Sequence, residues 1–218
     1  MSSFRRLLLD QCLEQNSFLL KGKVLDLGGK KIGKRGTFVP PLDQVTNWEY
    51  LNTDNETKPD YCCTAEDIPL EDASIDIVIM TEMLEYLPDP DKVFSEIYRI
   101  LCEDGHVLIS TPFLNPLHGD YWADRARYTP VMLKEMTEKA GFTLKYLEPM
   151  GSVGSVVYDI LRISFGYADE RNAFRYLGAI LPKFLFFFSW LDRKMVSQQK
   201  FINTGYFLVL QKKDYLKN

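Results

Sequence analysis

The stretch "KGKVLDLGGKKIGKRG", residues 21–36, decides how the rest of the chain is interpreted. It opens with an apolar run typical of a buried strand, Val24–Leu27, which contains one acid, Asp26. Two glycines, Gly28 and Gly29, follow directly, and basic residues fill four of the next seven positions. Because glycine has no side chain, a ligand can approach the backbone closely at such a turn. The stretch predicts a first strand that ends in a ligand-binding turn.

Strand and helix patterns alternate from this stretch to about residue 150. Asp89-Pro90 and Thr129-Pro130 each predict a helix start, because the first residue can cap the helix and proline fits its first turn. This order predicts an α/β, Rossmann-like, doubly wound sheet of seven strands, mostly parallel, with the last strand antiparallel. The predicted strands are Val24–Leu27, Trp48–Asn52, Asp60–Thr64, Ser74–Met80, His106–Ser110, and two at about 142–149 and 201–211. We expect residues 1–218 to form a single domain with an aromatic-rich helical insertion at about 151–198.

Composition narrows the class of protein. The 218 residues are 46% hydrophobic and 26% charged, with a formal net charge of −4, as in a globular protein with a substantial core. The acidic balance argues against nucleic-acid binding. The four cysteines form no C-x-x-C pair and there are two histidines, so no metal site is predicted. The charged N-terminus does not resemble a signal peptide, and we expect a cytoplasmic protein.

The glycine spacing argues against two common phosphate-binding motifs. Gly28, Gly29, Gly33 and Gly36 do not match the G-x-G-x-x-G fingerprint of dinucleotide-binding folds. The chain also contains no G-x-x-x-x-G-K-[ST] loop. We therefore exclude a phosphate cradle for a nucleoside triphosphate.

Polar residues follow the next predicted strands. "WEYLNTD" places Asp54 where its carboxylate could accept hydrogen bonds from both hydroxyls of a ribose. "TAEDIP", residues 64–69, is a short polar turn that could contact an adenine edge, and the fourth predicted strand ends at Thr81-Glu82. Such a sheet binds its ligand beyond the carboxyl ends of its strands, so these residues predict a nucleoside-sized ligand.

Five segments together resemble the class I S-adenosylmethionine-dependent methyltransferases, and in particular their type 11 branch. They cover roughly residues 22–147 and stand in the family's order and spacing. The matching segments are "VLDLGG", "YLNTD", "AEDIPLEDASIDIVIMTEMLEYLPDP", "VLISTPF" and "YTPVMLKEMTEKAGF".

The resemblance implies S-adenosylmethionine as the cofactor and assigns its contacts. It implies that Asp26, Gly28 and Gly29 hold the methionine half and that Asp54 holds the ribose. Ala65 and Glu66 match the adenine-contacting turn, where Thr64 could also accept a hydrogen bond from the adenine amino group, and Thr81 matches the residue that closes the site. Two departures stand out: Lys30 and Lys31 replace the family's further glycine and helix, and Thr64 stands where Asp or Asn is common.

A polar loop after the fifth predicted strand, residues 110–130, is the candidate acceptor site. We predict His118 as the general base, with Asp120 as its orienting partner or as an alternative base. The resemblance also implies that Glu82, at the end of the fourth predicted strand, lies near the sulfonium. Tyr121 and Trp122 could stack on an acceptor, and Arg125 and Arg127 could bind an acidic group on it. The alternatives are a solvated His118, aromatic residues that cap the core edge, and arginines in structural ion pairs.

The insertion leaves three interpretations open. "LGAILPKFLFFFSWLDRKM", residues 177–195, is rich in aromatic residues and carries Lys183, Arg193 and Lys194. It could pack on the sheet, form a homodimer face or an acceptor-pocket cover, or make peripheral contact with a membrane.

Together these observations predict an enzyme that transfers a methyl group to a small-molecule or glycan acceptor, most simply at oxygen, with a surface-polysaccharide sugar as the favoured acceptor. A carbon methyltransferase acting on a lipid-like quinone or sterol is the enzymatic alternative, suggested by the aromatic insertion. A non-catalytic cofactor-binding scaffold is the alternative outside enzymes, suggested by the altered glycine loop.

Overall fold

The structure is a computed structural model that describes residues 3–33, 36–117, 123–166, 174–195 and 201–213. Within these ranges, six strands form one sheet in the order β2-β1-β3-β4-β6-β5. Neighbouring strands are parallel except β6, which runs antiparallel to both β4 and β5. The strands are β1 Gly22–Leu27, β2 Val45–Leu51, β3 Ile75–Thr81, β4 Leu101–Pro112, β5 Phe142–Met150 and β6 Gly205–Lys212. The α/β class and the antiparallel last strand are therefore confirmed.

Helices cover both faces of the sheet. They are α1 Phe4–Gln15, α2 Pro90–Ile100, α3 Pro130–Lys139, α4 Val153–Gly166, α5 Phe174–Ile180 and α6 Leu185–Met195. Both predicted helix starts are confirmed, because Asp89 and Thr129 accept hydrogen bonds from the backbone N–H groups of Lys92 and Met132. One core contains α2 and the inward residues of the strands, and a second lies between α1 and the other face of the sheet.

The strand predicted at Asp60–Thr64 is wrong, so the described sheet has six strands rather than seven. This segment pairs with β2 at a single bridge, between Leu51 and Tyr61. The Asp60 carboxylate accepts hydrogen bonds from the Tyr50 N–H at 3.0 Å and from Lys31 Nζ at 2.7 Å. The Asp60 side chain thus holds the segment at the sheet edge, and the segment forms no ladder with β2.

The connection from β1 to β2 contains no helix in its described residues, 28–33 and 36–44. Parallel strands are usually joined through a crossover helix, and the sequence lacked a helical period here. Phe38 from this connection packs at the margin of the core under α1. The space beside β1 is consequently bounded by α1 and by the loop.

The insertion forms helices α4, α5 and α6. A 3₁₀ turn, Leu181–Phe184, which contains Pro182, separates α5 from α6. Helix α4 packs closely on α6 at Gly154, where an added Cβ atom would lie 2.5 Å from the Phe188 carbonyl oxygen. Among the described helices, none has the length and apolar character needed to cross a bilayer.

Candidate active site

A cavity of about 580 Å³ opens beyond the carboxyl ends of β1 and β3, with α1 along one side. Its volume falls in the range of small-molecule sites in proteins. The wall combines the glycine turn after β1, the end of β3, polar residues of α1 and several aromatic side chains. The lining includes Arg5, Arg6, Asp10, Asp26, Gly28, Gly29, Lys30, Phe38, Trp48, Thr81, Glu82, Tyr86, Asn115, Arg162 and Ile163.

The glycine turn presents bare backbone to the cavity. Gly28 has φ +72°, a left-handed conformation that favours glycine. A Cβ atom on Gly29 would lie 2.3 Å from Cγ of Asp26, so the carboxylate occupies the space that a side chain would need. Asn52 Nδ2, at the end of β2, donates to the carbonyl oxygens of Gly28 at 3.1 Å and Gly29 at 2.9 Å. The turn is thus fixed from two neighbouring strands.

Glu82 brings a carboxylate into the cavity from the end of β3. Its φ of +55° is uncommon for a residue with a side chain, and such strain concentrates at functional sites. The Glu82 N–H donates to the Ser110 carbonyl oxygen at 3.0 Å, and Ser110 Oγ donates to Glu82 Oε1 at 2.7 Å. The other oxygen, Oε2, forms an ion pair with Arg5 of α1. Both oxygens are therefore engaged by buried partners.

Arg5 is almost entirely buried, and the first turn of α1, in which it lies, is held in place by α4. Burial lowers the pKa of Arg5 to about 10, against the opposing attraction of Glu85 and Asp159, so the guanidinium remains charged at neutral pH. The Asp159 carboxylate accepts hydrogen bonds from the Phe4 N–H at 2.8 Å and the Arg5 N–H at 2.9 Å. A carboxylate at a helix N-terminus satisfies otherwise unpaired N–H groups and opposes the positive end of the helix dipole.

A second carboxylate, that of Asp192, caps the N-terminus of α4 in the same way. Asp192 of α6 accepts hydrogen bonds from the N–H groups of Ser152 and Ser155, both at 2.8 Å, at the N-terminus of α4. Helix α6 therefore fixes α4, and α4 in turn fixes α1 beside the cavity. The insertion is part of the support of the site.

Five of the predicted site residues meet at the cavity, namely Asp26, Gly28, Gly29, Thr81 and Glu82. The predicted ribose ligand, Asp54, is exposed, and its Oδ1 accepts from the Glu56 N–H at 3.0 Å. Of the predicted adenine turn, Thr64 is exposed and Ala65 is buried in the core beside α2, while Glu66 is half-buried. Asp54 and these three residues are absent from the lining of the cavity.

The predicted acceptor loop is only partly described. His118, Asp120, Tyr121 and Trp122 lie outside the described residues. Arg127 forms a two-point ion pair with Asp124, with Nη2 at 2.8 Å from Oδ2, and this pairing raises the pKa of Arg127. The Arg125 side chain is exposed, and the backbone N–H of Arg125 donates to the Glu85 carbonyl oxygen at 2.9 Å. Among the described residues of this loop, Asn115 lines the cavity.

Three residues that fix the site were missed in the sequence. Asn52 stands inside the quoted "YLNTD" segment and could have been considered with Asp54. Arg5 gives no local signal, because a basic residue in a short amphipathic helix is ordinarily solvated. Ser110 belongs to the apolar "VLIST" run and is fully buried, so the sequence pattern does not show which group its hydroxyl binds.

Comparison with known proteins decides the family. The family described as "Methyltransferase domain" matches residues 36–109. A ubiquinone biosynthesis O-methyltransferase from Yersinia enterocolitica is 30% identical over 168 residues, which cover 71% of this chain and 67% of that protein. The chain belongs to the class I S-adenosylmethionine-dependent methyltransferases.

Two further likenesses extend this result. A probable S-adenosylmethionine-dependent methyltransferase from Mycolicibacterium smegmatis is 32% identical over 90 residues, which span 36% of this methyltransferase and a third (33%) of that protein. The crystal structure of a putative sarcosine dimethylglycine methyltransferase from Galdieria sulphuraria has a TM-score of 0.59 at 17% identity, covering 96% of this chain and 85% of that one. The structural likeness shows a shared fold.

The cavity of this methyltransferase fits the family cofactor. S-Adenosylmethionine carries an ammonium, a sulfonium and a carboxylate, and no phosphate. Asp26 and Glu82 supply negative charge to the wall, Lys30 and Arg6 supply positive charge, and the bare turn at Gly29 leaves room beside Asp26. Within the described ranges no cluster of three or more His, Cys, Asp or Glu side chains could hold a metal ion.

Proposed function

We propose that this methyltransferase transfers the methyl group of S-adenosylmethionine to a hydroxyl oxygen of a small-molecule or glycan acceptor. The observation that carries the proposal is the single cavity that joins the Gly28-Gly29 turn, Thr81 and Glu82, whose side chain is 11% exposed. The same cavity continues to Tyr86 and Asn115, which leaves a second portion of the wall for an acceptor.

For the cofactor, we assign the methionine half to the turn formed by Asp26, Gly28 and Gly29, with Thr81 closing the site. Asp54 remains our proposed ribose ligand, and residues 64–66 our proposed adenine contact. The position of Asp54 in the chain supports its assignment, because the Gly28 N–H donates to the Leu51 carbonyl oxygen at 2.8 Å and Asp54 follows three residues later. The Asp54 carboxylate accepts the Glu56 N–H at Oδ1, and a carboxylate has further acceptor sites for the ribose hydroxyls.

When bound, S-adenosylmethionine supplies an electrophilic methyl carbon on a positively charged sulfur. The chain must align the acceptor oxygen with that carbon and exclude water. As the new O–C bond forms and the S–C bond breaks, the hydroxyl proton passes to a base, for which we propose His118 oriented by Asp120. Asn115, three residues before His118, lines the cavity, which supports a site for this loop beside the acceptor.

We propose an electrostatic role for Glu82 rather than a role as base. Its two oxygens already accept from Ser110 and Arg5, so the carboxylate is poorly placed to take a proton, while it still lines the cavity. We propose that Tyr121, Trp122 and Arg125 contact the acceptor. Arg127 is held by Asp124, which favours a role in ordering the loop.

A second candidate acceptor is a lipophilic quinone-type phenol. The Yersinia relative is named a ubiquinone biosynthesis O-methyltransferase, and the aromatic insertion reaches the cavity through Arg162 and Ile163 of α4. Such an acceptor would also be methylated at oxygen, whereas carbon methylation of a quinone or sterol has no specific observation in its favour.

A label-transfer assay separates these functions. The full chain is incubated with methyl-labelled S-adenosylmethionine and either a panel of sugars and polysaccharide fractions or a polyprenyl catechol. Label on a sugar hydroxyl supports the first proposal, and label on the catechol oxygen supports the second. Label on carbon, or none with any acceptor despite measurable S-adenosylhomocysteine binding, overturns O-methyl transfer; the second result identifies a cofactor-binding scaffold.

His118→Ala tests the proposed base. The substitution should slow turnover while the dissociation constant for S-adenosylhomocysteine stays unchanged, because the proposed role concerns only the acceptor proton. Arg125→Ala is the matched variant from the same loop and should raise KM for an acidic acceptor. Wild-type turnover in His118→Ala would show that the base is another residue or that alignment alone suffices.

A further inference from the structure

The outer surface of α6 has an unusual composition for a surface helix. Phe188 and Asp192 point inward and are 9% and 5% exposed, so they define the side that packs on α4. At 3.6 residues per turn, the opposite side carries Phe186, Phe187, Trp190, Arg193 and Lys194, which we call the outer face of α6. Phe186 is 77% exposed, Phe187 51% and Trp190 47%.

This outer face cannot turn inward to bury its aromatic side chains. The Asp192 carboxylate is committed to the N-terminus of α4, where it accepts from Ser152 and Ser155. The close approach of α4 to the Phe188 carbonyl at Gly154 leaves no room to rotate α6 about its axis. The aromatic residues are therefore presented outward by the packing itself, with Phe187 and Trp190 stacked at 6.1 Å between ring centroids.

The exposed charges beside these aromatic residues in the described part of the insertion, residues 176–195, are all of one sign. In the described stretch 176–195, the exposed ionic side chains are Lys183, Arg193 and Lys194, while the acid Asp192 is buried. The whole chain has the opposite balance, with a net charge of −4. An exposed aromatic surface bordered by Lys and Arg matches helices that lie in the headgroup region of an anionic membrane.

We propose that the outer face of α6 docks on an anionic phospholipid surface. The aromatic rings would enter the boundary between headgroups and acyl chains, and Arg193 and Lys194 would pair with lipid phosphates. Since none of the described helices could span a bilayer, the contact would be peripheral. A two-fold symmetric pairing with a second copy would bring basic side chains against basic side chains, which disfavours that occupant.

The proposal also bears on the acceptor. Helix α4, which packs on α6, places Arg162 and Ile163 in the wall of the cavity. Ile160, one turn away on α4, is 45% exposed. This point rests on the proposed methyl transfer. An acceptor anchored in the same lipid surface would then reach the cavity along α4.

Vesicle sedimentation tests the docking directly, without cofactor or acceptor, so its outcome is independent of the proposed reaction. The full chain is mixed with vesicles of phosphatidylcholine, with and without phosphatidylglycerol. Wild type should sediment with the anionic vesicles, and Phe186→Ser/Trp190→Ser should weaken this partition by about tenfold or more, because two large rings are lost from the interface. Phe18→Ser is the matched control, since Phe18 is 73% exposed but lies before β1.

Charge reversal and mass measurement complete the test. Arg193→Glu/Lys194→Glu should abolish the preference for anionic vesicles. Failure of the wild type to sediment, or equal sedimentation of wild type and Phe186→Ser/Trp190→Ser, would overturn the proposal. A dimer in lipid-free solution that Phe186→Ser/Trp190→Ser converts to monomer would also overturn it, because a second copy would then be the occupant.

Discussion

Arg5, in the first turn of α1, forms a buried ion pair with Glu82 at the end of β3. The two side chains are 6% and 11% exposed. This pair joins the N-terminal helix to the strand end where methyl transfer is proposed, and Ser110 holds the second oxygen of Glu82. Removal of one partner would leave the other charge without its counter-ion in the wall of the cavity.

The pair predicts strong coupling between its members. Arg5→Met should lower the free energy of unfolding by about 3–5 kcal/mol, because it leaves the Glu82 carboxylate without its counter-charge. Glu82→Gln should cost much less in the Arg5→Met background than in the wild type. Urea denaturation of the four proteins in a double-mutant cycle measures the coupling. Additive effects of the two substitutions would show that the pair contributes nothing as a unit.

Cys12 should be unreactive in the folded protein. Burial, with the neighbouring Glu148 carboxylate adding to it, raises the pKa of the Cys12 thiol from 9.0 to about 12. At pH 8 this thiol is protonated and hidden, whereas Cys62 is exposed. Iodoacetamide should therefore alkylate Cys62 long before Cys12, as peptide mass spectrometry can measure. Equal alkylation of both would contradict the packing of α1 on the sheet.

The same shift predicts a loss of stability at alkaline pH. A pKa that is higher in the folded state than in the unfolded state stabilises fully below pH 9 and loses its contribution as the pH rises towards 12. Burial also raises the pKa values of Tyr86 and Tyr146 to about 12, which acts in the same direction. Thermal unfolding should fall to lower temperature between pH 9 and 12, and Cys12→Ala should show a shallower fall.

Two residues that follow β2 are expected to have different roles: Asn52 holds the glycine turn, and Asp54 binds the ribose. Asn52→Ala removes both hydrogen bonds to the glycine carbonyls, so it should weaken cofactor binding and lower stability by about 1–2 kcal/mol. Asp54→Ala should weaken S-adenosylhomocysteine binding by about 1.5–3 kcal/mol if the carboxylate holds the ribose, with little effect on stability. Calorimetric titration and urea denaturation of both variants measure the two quantities. Unchanged affinity in Asp54→Ala would remove the ribose assignment.

Local signals predicted much of the fold. Asp89-Pro90 and Thr129-Pro130 fixed two helix starts because a cap acts within one turn, and "VLDLGG" marked the first strand and its bare turn. The third predicted strand, Asp60–Thr64, was wrong because a short run of Tyr and Cys residues does not show whether a segment joins a ladder. In the structure, Asp60 holds this segment at the sheet edge through its side chain.

The support of the site could not be predicted, because it consists of contacts between distant parts of the chain. Asp159 and Asp192 are acids within helical segments, where a solvated position is the ordinary expectation. Only the packed structure shows that Asp159 reaches the N-terminus of α1 and Asp192 the N-terminus of α4. The pairing of Arg5 with Glu82 depends in turn on where Asp159 holds α1.

The central claim is that the cavity at the Gly28-Gly29 turn binds the adenosyl sulfonium cofactor. Calorimetric titration with S-adenosylhomocysteine of the wild type, Gly29→Ala and Gly166→Ala tests it most directly. A Cβ atom on Gly29 would collide with the Asp26 carboxylate, so binding should weaken by about 1–3 kcal/mol, roughly 5- to 150-fold. Gly166→Ala, whose added Cβ atom has no described atom within 4 Å, should bind as the wild type does. Absence of binding in the wild type, or equal affinity in all three proteins, would contradict the claim.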